Sequence, residues 1–502
     1  MDIRHLLLPL LLAAAGCGTR GDAWDRPFET DGPVAAAGQV AFLQRTAGVL
    51  GWIDPTRGGP PSHRDVTAHA RAFAPWAEGV LVAGGRGDAP VLEVVRLPAG
   101  TLRRIPLDAA WDRIEVAPDG TRAILLFGAA GTAPVGAAPV RNPNEVAVVD
   151  PAAGTATTVI FQTEALAPRE VVFADGSPLV AILFDNAIAL VDAARPERLR
   201  TIPLKLRDGA ALRPAQAFFS PGGGFLFVQA AGTDDVIALE IAAGGEALDV
   251  AINFLFAAGL SDLQAIAVAP PLGEAVVALY RDGAALLDAA GDTSATRSVA
   301  LASFHHRILD LGDGILLFHP APGRSDLGIA AWEPRAGRVV IDRLEKPIVA
   351  EPVVAGTSAF LPQGTAESGA LTVATVVREP ARLRLSLQAL QLAGVPTAAI
   401  ADPASGVAFF GLDLLRGFTA ADDEERTGTG AIAAVAAGSL GSGGVRVDAP
   451  VLRLGIAGGH LFAIHDAPLG DLTLVPRGDL RREAAVRYEG IFASGLLDRG
   501  EE

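Results

Sequence analysis

A short turn that recurs along the chain is the feature that most restricts its fold. An acidic residue, Pro, two further residues and Gly form this turn at Asp54–Gly58, Asp150–Gly154 and Glu333–Gly337. Related turns without the full pattern begin at Arg96, Asp192, Glu240 and Leu287. Successive turns are about 42 to 54 residues apart, close to the period of about 40 to 50 residues in β-propeller blades. The opening carboxylate is predicted to accept backbone N–H groups, which is a structural role.

Between these turns, short apolar segments alternate with polar or glycine-rich turns. Residues 216–248 show this most clearly, with predicted strands at Phe225–Gln229 and Val236–Ile241 and a turn at Ser220–Gly224. No apolar run has the length and period of a helix, so an all-β fold is predicted. Middle strands such as Leu179–Phe184 are apolar at nearly every position, which indicates that neighbouring blades cover both of their faces.

The sequence indicates the pattern of the repeats more clearly than their number. Seven units precede residue 345, and later strands at Val407–Leu412, Ala431–Ala436, Val451–Ala457 and His460–His465 extend the series to as many as ten units. Single propellers usually have four to eight blades. We therefore predict one β-propeller of seven or eight four-stranded antiparallel blades over residues 34–492, followed by a tail at 493–502. Two fused arrays are the alternative.

The N-terminal residues have the features of an export signal. Arg4 and His5 precede the apolar run Leu6–Ala15, which is too short to span a bilayer permanently and is typical of a cleaved secretory signal. Gly16 and then Cys17, the single cysteine of the chain, follow this run. A plain secretory signal with an incidental cysteine and an N-terminal hydrophobic anchor are the simpler alternatives.

Ala14-Ala15-Gly16-Cys17 resembles the signal of bacterial lipoproteins, although Ala replaces the usual Leu at its first position. The resemblance implies that residues 1–16 are a lipoprotein signal peptide and that Cys17 is lipidated and anchors the protein to a membrane. Gly18, where an Asp would favour inner-membrane retention, implies the outer membrane if the source is Gram-negative, on its periplasmic side or at the surface. Residues 17–33 are predicted to be a flexible tether.

The charge balance argues against nucleic acid as a partner. Lys and Arg total 41 against 57 Asp and Glu, which gives a formal net charge of −16 and repels a phosphate backbone. The acidic run Asp422–Glu425 is predicted to be a solvated loop, because it lacks the alternating spacing of a calcium-binding loop. No second hydrophobic stretch reaches about 18 residues without turn residues or charges, so no transmembrane helix is predicted.

Several turns resemble those of known bacterial propellers. Ala117–Arg122 and Phe219–Gly224 resemble the Ser-Pro-Asp-Gly turn of TolB-like, YVTN-type and WD40-like propellers, and Glu145–Gly154 resembles their third strand and following turn. The Gly-His and Trp-Asp pairs of true WD40 repeats, the sialidase box and the quinoprotein repeats are missing. The lipid-anchored propeller of the outer-membrane barrel assembly machinery combines a similar anchor and fold class. This is an analogy of architecture, and a fold alone does not determine function.

The sequence contains no evident catalytic constellation. His305, His306 and His319 are the nearest histidine cluster, but adjacent residues on a strand point to opposite faces, and the same holds for His460 and His465. We therefore predict no metal ligand, catalytic residue or cofactor-binding residue. Gly438–Gly441 does not fit a nucleophile elbow, and Gly441–Gly444 lacks the Lys of a phosphate loop, so it is interpreted as a flexible turn.

Two functions of different class fit these observations. The first is a non-enzymatic, membrane-anchored extracytoplasmic propeller that binds a protein or acts as a scaffold in the cell envelope. The alternative is an exported propeller enzyme, of hydrolase or lactonase type, with its site at the central channel. Function is expected where units depart from the repeat, at Gly128–Pro143 and Gly417–Gly430, and at the lipid-bearing Cys17.

Overall fold

Forty strands form ten four-stranded antiparallel sheets, each built from four strands that are consecutive in the chain. The computed structural model describes residues 30–489 apart from residues 46, 68, 87, 129–141, 163–167, 207–208, 243–247, 291–294, 302–304, 366–367, 415–428, 440 and 467–470. The first strands of the sheets contact one another around a ring. The protein is therefore a ten-blade β-propeller with the first strand of each blade innermost.

The first five blades span residues 30–255. Blade 1 contains β1 (Thr30–Ala36), β2 (Gln39–Gln44), β3 (Val49–Ile53) and β4 (Ser62–Asp65). Blade 2 contains β5 (Ala72–Trp76), β6 (Gly79–Arg86), β7 (Ala89–Arg96) and β8 (Thr101–Pro106). Blade 3 contains β9 (Arg113–Val116), β10 (Ala123–Leu126), β11 (Glu145–Asp150) and β12 (Thr155–Ile160). Blade 4 contains β13 (Glu170–Phe173), β14 (Leu179–Leu183), β15 (Ala187–Asp192) and β16 (Arg195–Pro203). Blade 5 contains β17 (Arg213–Phe219), β18 (Phe225–Ala231), β19 (Val236–Ala242) and β20 (Asp249–Leu255).

The last five blades span residues 263–488. Blade 6 contains β21 (Leu263–Ala267), β22 (Ala275–Tyr280), β23 (Gly283–Asp288) and β24 (Ala295–Ala300), with a 3-10 turn at Pro270–Leu272. Blade 7 contains β25 (Arg307–Asp310), β26 (Leu316–His319), β27 (Gly328–Glu333) and β28 (Arg338–Arg343). Blade 8 contains β29 (Val353–Ala355), β30 (Ser358–Thr365), β31 (Ser368–Arg378) and β32 (Leu383–Gln391). Blade 9 contains β33 (Val395–Asp402), β34 (Val407–Asp413), β35 (Gly430–Ala436) and β36 (Gly443–Val447). Blade 10 contains β37 (Val451–Ala457), β38 (His460–His465), β39 (Leu472–Pro476) and β40 (Val486–Tyr488), with a 3-10 turn at Arg482–Ala484.

The second and third strands of each blade form the core between blades. Every residue of β10, β15 and β22 is buried, because side chains on both faces of these strands pack against neighbouring blades. The outer strand β4 is exposed at all of its positions. The predicted all-β propeller of four-stranded antiparallel blades is confirmed.

Acidic residues that open closing turns accept backbone N–H groups, as predicted. Asp150 Oδ1 accepts the N–H of Ala153 at 2.8 Å, and Asp54 Oδ1 accepts the N–H of Thr56 at 2.9 Å. At Asp288, the second carboxylate oxygen pairs with Arg335 of the next blade at 3.1 Å. These turns therefore hold their own hairpin and also tie adjacent blades together.

The ring closes where blade 10 packs on blade 1. Val40 and Phe42 of blade 1 share one core cluster with Phe462 and Ile464 of blade 10, and each such buried side chain contributes roughly 1.5 to 3 kcal/mol. Tyr488 Oη also donates to the carbonyl of Gly59 at 3.0 Å. Among the described residues, every sheet consists of four consecutive strands, so no sheet combines strands from the two ends of the chain. Side-chain packing therefore closes the ring.

The prediction of seven or eight blades is wrong, because all ten repeat-like units form complete blades of one ring. The first seven predicted units coincide with blades 1 to 7. In blade 9, the inner strand β33 has a bulge between Pro396 and Ala398 that obscures its alternation. Gly443 and Gly444, interpreted as a flexible turn, begin the outer strand β36. The first blade starts at Thr30, whereas the predicted propeller starts at residue 34.

The two faces of the ring differ in the connections they carry. The turn face carries the turns from first to second and from third to fourth strands, which are all short. The loop face carries the turns from second to third strands and the connections between blades. The two longest connections, residues 127–144 and 414–429, leave from and return to the loop face. No helix among the residues described is long and apolar enough to cross a membrane.

Candidate functional site

Two cavities on the turn face lie on either side of the turn at residues 117–122. One, of about 480 Å³, lies between blades 2 and 3 and is walled by Trp76, Ile114 and Val116. The other, of about 250 Å³, lies between blades 3 and 4 and is walled by Phe173 and Val180. Both cavities include Pro118 and Asp119 in their lining, so together they form one interrupted groove across three blades, here called the turn-face groove.

A close approach of two turns shapes the middle of this groove. Gly120 has a φ of 69°, in the left-handed region that glycine adopts without steric cost. A Cβ at this position would lie 2.6 Å from the backbone nitrogen of Ala77 in blade 2. Glycine therefore meets both requirements, because it permits the tight turn and lets blade 3 approach blade 2.

The rim of the groove carries uncompensated negative charge. Glu115 is paired with Arg113 at 2.7 Å, and Arg122 is paired with Asp150 at 2.8 Å. Asp119 uses Oδ1 to accept the N–H and hydroxyl of Thr121 at 2.9 Å, which fixes the turn and leaves its charge in place. Neither Asp119 nor Asp175, both exposed, forms an ion pair with any described residue. A positively charged group would be stabilised at this rim.

Trp76 lines the groove, and its indole N–H is buried. Its side chain is only 6% exposed, and its Nε1 has no hydrogen-bond partner among the described residues. By contrast, Trp111 in the same core cluster donates its Nε1–H to the carbonyl of Glu145 at 3.0 Å. A buried donor without an acceptor costs roughly 1 to 3 kcal/mol, a cost that the hydrogen bond of Trp111 avoids. The apolar ring of Trp76 is therefore its contribution to the groove wall.

Another cavity, of about 430 Å³, lies on the loop face between blades 5 and 6. Unlike the acidic groups at the rim of the turn-face groove, its polar groups form hydrogen bonds between the two blades. Asp234 Oδ1 accepts the N–H of Asp262 at 2.9 Å, and Tyr280 Oη donates to the carbonyl of Asp234 at 3.1 Å. Gln229 Nε2 donates to the carbonyl of Leu263 at 2.9 Å. These polar groups hold blades 5 and 6 together, so the turn-face groove is the stronger candidate for binding.

Arginine side chains at the inner strands connect blades 3 to 5. Arg113 Nη1 donates to the carbonyl of Arg169 at 2.8 Å, and Arg169 Nη1 donates to the carbonyl of Pro214 at 2.9 Å. Each arginine thereby links its blade to the inner strand of the next blade. Burial raises the pKa of Glu170, Arg169 and Arg113 oppose that rise, and the nearby Glu115 adds to it.

The histidine cluster lies on the loop face of blade 7. His305 is fully buried, with its ring centre 6.4 Å from that of Phe318, while a ring nitrogen of the half-buried His306 lies 2.9 Å from Arg324 Nη2. His319 is buried, and its Nδ1 donates to the carbonyl of Pro320 at 2.7 Å. Burial lowers the pKa of His319 to about 4. Adjacent histidines thus have different surroundings.

His460 and His465, the two histidines of β38, have different surroundings. His465 is buried between the carbonyl of Ala449 and the hydroxyl of Thr473, whereas His460 is near the surface and contacts the carbonyl of Gly458. Within the described ranges, no group of three or more His, Cys, Asp or Glu side chains is arranged to bind a metal ion. Cys17 and the acidic run 422–425 lie outside the described residues, as do most of the two predicted departures from the repeat.

Trp76, Asp119 and Asp175 are site residues that the sequence analysis did not single out. Ala117–Arg122 resembles a turn between strands in the sequence, and the structure has a turn there. Asp175 lies in the equivalent turn of blade 4. The groove arises only when the turns of three successive blades lie side by side. That neighbourhood follows from the ring geometry, and no local sequence signal marks it.

His319 predicts a specific loss of stability in acid. Its pKa is about 4 in the folded protein against about 6.5 when unfolded, so only the unfolded chain binds this proton between those values. The free energy of unfolding should therefore be unaffected above pH 6.5 and should fall by about 3 kcal/mol towards pH 4 on account of this residue. Denaturant unfolding of His319→Gln should show a shallower decrease than the wild type, and equal slopes would contradict the assignment.

Comparisons with known proteins concern the fold alone. No protein-family model and no curated protein matches the chain. Similar solved structures include the dihydro-heme d1 dehydrogenase NirN in complex with DHE, at 13% identity and a TM-score of 0.46, covering 93% of this chain and 76% of that one. A eukaryotic initiation factor is 11% identical with a TM-score of 0.46, covering 82% and 96%. BamB from Moraxella catarrhalis is 10% identical with a TM-score of 0.34, covering 78% and 93%. At these values the similarities assign no function to the chain.

Proposed function

We propose that this protein is a lipid-anchored lipoprotein of the cell envelope that binds a protein partner without catalysing a reaction. The observation that carries the proposal is the turn-face groove, which combines apolar walls with an uncompensated acidic rim. Residues 1–16 act as the signal peptide and Cys17 bears the lipid, as the resemblance of the N-terminal residues implies.

The shape of the groove suits an extended peptide segment. Its two cavities lie end to end on both sides of the turn at residues 117–122 and total about 730 Å³, which is within the range of about 300 to 1,000 Å³ typical of binding pockets. A segment laid across it would place apolar side chains against Trp76 and Phe173. Lysine or arginine side chains on that segment would meet Asp119 and Asp175. The proposed ligand is therefore a basic, partly apolar segment of an envelope protein.

The location in the envelope rests on the N-terminal sequence. The run Leu6–Ala15 would direct export, and multiple acyl chains on Cys17 would hold the protein at a membrane, since each buried CH₂ contributes about 0.8 kcal/mol. With Gly18 after the cysteine, the outer membrane of a Gram-negative cell is the proposed site, on its periplasmic side or at the surface. The net charge of −16 keeps nucleic acid outside the proposed partners.

An exported hydrolase or lactonase with a channel site is the second candidate. Its supporting observation is the raised pKa of Glu170 near Glu115, on the inner strands of blades 4 and 3, because burial and a nearby second carboxyl group are the means by which catalytic acids acquire a raised pKa. The arginines around this pair already link blades 3, 4 and 5, which gives the cluster a structural role. Hydrolysis of an ester or lactone by the wild type that is lost in Glu170→Gln would establish this second function.

Site-specific photo-crosslinking tests the groove in intact cells. A photoreactive phenylalanine at Asp175 should yield a defined adduct with an envelope protein, because that position borders the groove and is exposed. The same residue at Glu274, on the turn face of blade 6 and outside the groove, should not yield this adduct.

The specificity of the adduct is tested by reversing charges. Asp119→Lys should reduce the adduct at least about tenfold, the effect of roughly 1.4 kcal/mol of lost binding energy, whereas Glu274→Lys should leave it unchanged. No adduct at position 175, or the same adducts from both positions, would exclude the groove as the contact surface.

The anchor is tested separately by metabolic labelling with a palmitate analogue. The wild-type protein should be labelled and fractionate with membranes, because Cys17 is the only cysteine in the chain. Cys17→Ala should lose the label and the membrane association. Equal labelling of the two proteins would refute lipidation at this residue.

A further inference from the structure

The first strand described starts, and the last strand described ends, on the same face of the ring. The inner strand β1 starts at Thr30 on the loop face, because every first strand runs from the loop face to the turn face. The outer strand β40 ends at Tyr488, also on the loop face. The strands that flank the two longest connections, at residues 127–144 and 414–429, also end and begin on that face. All long segments outside the blades therefore start from one side of the molecule.

We infer that the loop face is held towards the bilayer that carries the Cys17 lipid, and that the turn-face groove points away from it. The inference rests on the proposed lipid anchor and adds an orientation to it. The surface that the loop face is turned towards is thus a lipid bilayer. The partner segment binds on the opposite side.

The length of chain between Cys17 and Thr30 sets the limit on this geometry. These residues are separated by 13 positions in the sequence, so the distance between them is at most about 45 Å in a fully extended chain and about 20 Å on average in a flexible one. A tether of this length keeps the loop face within a few tens of ångströms of the membrane.

Around the outside of the ring, the opposite orientation requires a much longer path. From Thr30 the tether would have to pass over four strands spaced about 4.8 Å apart and their outer side chains, roughly 20 Å in all. It would then run the height of a blade, roughly 25 Å for strands of six or seven residues and their turns. That route consumes the full reach of the tether before it meets the membrane, at a large cost in chain entropy.

Strand β22 offers a matched pair of positions for measuring the orientation. Glu274 lies just before it on the turn face and Asp282 just after it on the loop face, and both are exposed acidic residues. A single cysteine introduced at either position gives a unique free thiol, because the only native cysteine would carry the lipid. The two thiols are about 25 Å apart along the strand direction.

Energy transfer from these positions to a bilayer tests the inference. The lipidated Glu274→Cys and Asp282→Cys proteins are labelled with a donor fluorophore and placed in phosphatidylcholine vesicles that carry a headgroup acceptor dye. Transfer from position 282 should exceed transfer from position 274 by at least about twofold, because the difference in height is about 25 Å. Equal transfer, or greater transfer from position 274 as for a tether threaded through the channel, would overturn the orientation.

A second arm separates the orientation from the anchor. Residues 17–502 with Cys17→Ser and an N-terminal hexahistidine tag are bound to vesicles that contain a nickel-chelating lipid, so attachment no longer depends on lipidation. The same ratio of transfer is expected in this arm. If palmitate labelling of the wild type fails while this arm gives the ratio, the anchor is refuted and the orientation imposed by the tether stands. If labelling succeeds and the ratio is absent in both arms, the orientation is refuted and the anchor stands.

Discussion

The need of each blade for two neighbours determines this architecture. Backbone hydrogen bonds remain within a sheet, whereas the apolar side chains of strands such as β15 and β22 project from both of its faces. A blade with one neighbour would leave half of these side chains in water, at roughly 25 cal/mol for each Å² of exposed apolar surface. The first and last blades can satisfy this requirement only by covering each other. A closed ring follows, and Val40, Phe42, Phe462 and Ile464 form its final contact.

Because each blade must pack against two neighbours, many polar groups have a structural role between blades, and only the others are available to bind a ligand. Carboxylates that open the closing turns and arginines on the inner strands fix neighbouring blades to each other, as Asp288 with Arg335 and Arg113 with the carbonyl of Arg169 show. Asp119 and Asp175 lie at equivalent turns without such a charged partner among the described residues. Their charge, next to the apolar walls of the turn-face groove, is what distinguishes blades 2 to 4 from the rest of the turn face.

Much of the fold could be predicted because the determinants of the inner and middle strands are local. The predicted strands Val451–Ala457 and His460–His465 coincide with β37 and β38, since Gly458 and Gly459 mark the turn between them. Outer strands such as β4, Ser62–Asp65, were missed because exposed edge strands need no apolar pattern. Blade number depends on the wedge angle between packed sheets, which no local signal encodes. The groove was missed for the same reason, because its walls come from three blades.

The closure of ten blades into one ring is the central claim, and an intramolecular crosslink between the ends tests it most directly. A Cβ at Gly58 would lie 4.0 Å from Val486 of blade 10, and neighbouring Gly59 has open space around it. With Cys17→Ser, the pair Gly59→Cys and Val486→Cys should react efficiently with a short bismaleimide to give one internal link, detected by mass spectrometry. A control pair, Gly59→Cys with Ser298→Cys on blade 6, should not. Failure of the first pair to link, in protein that is folded and monomeric, would contradict the closed ten-blade ring.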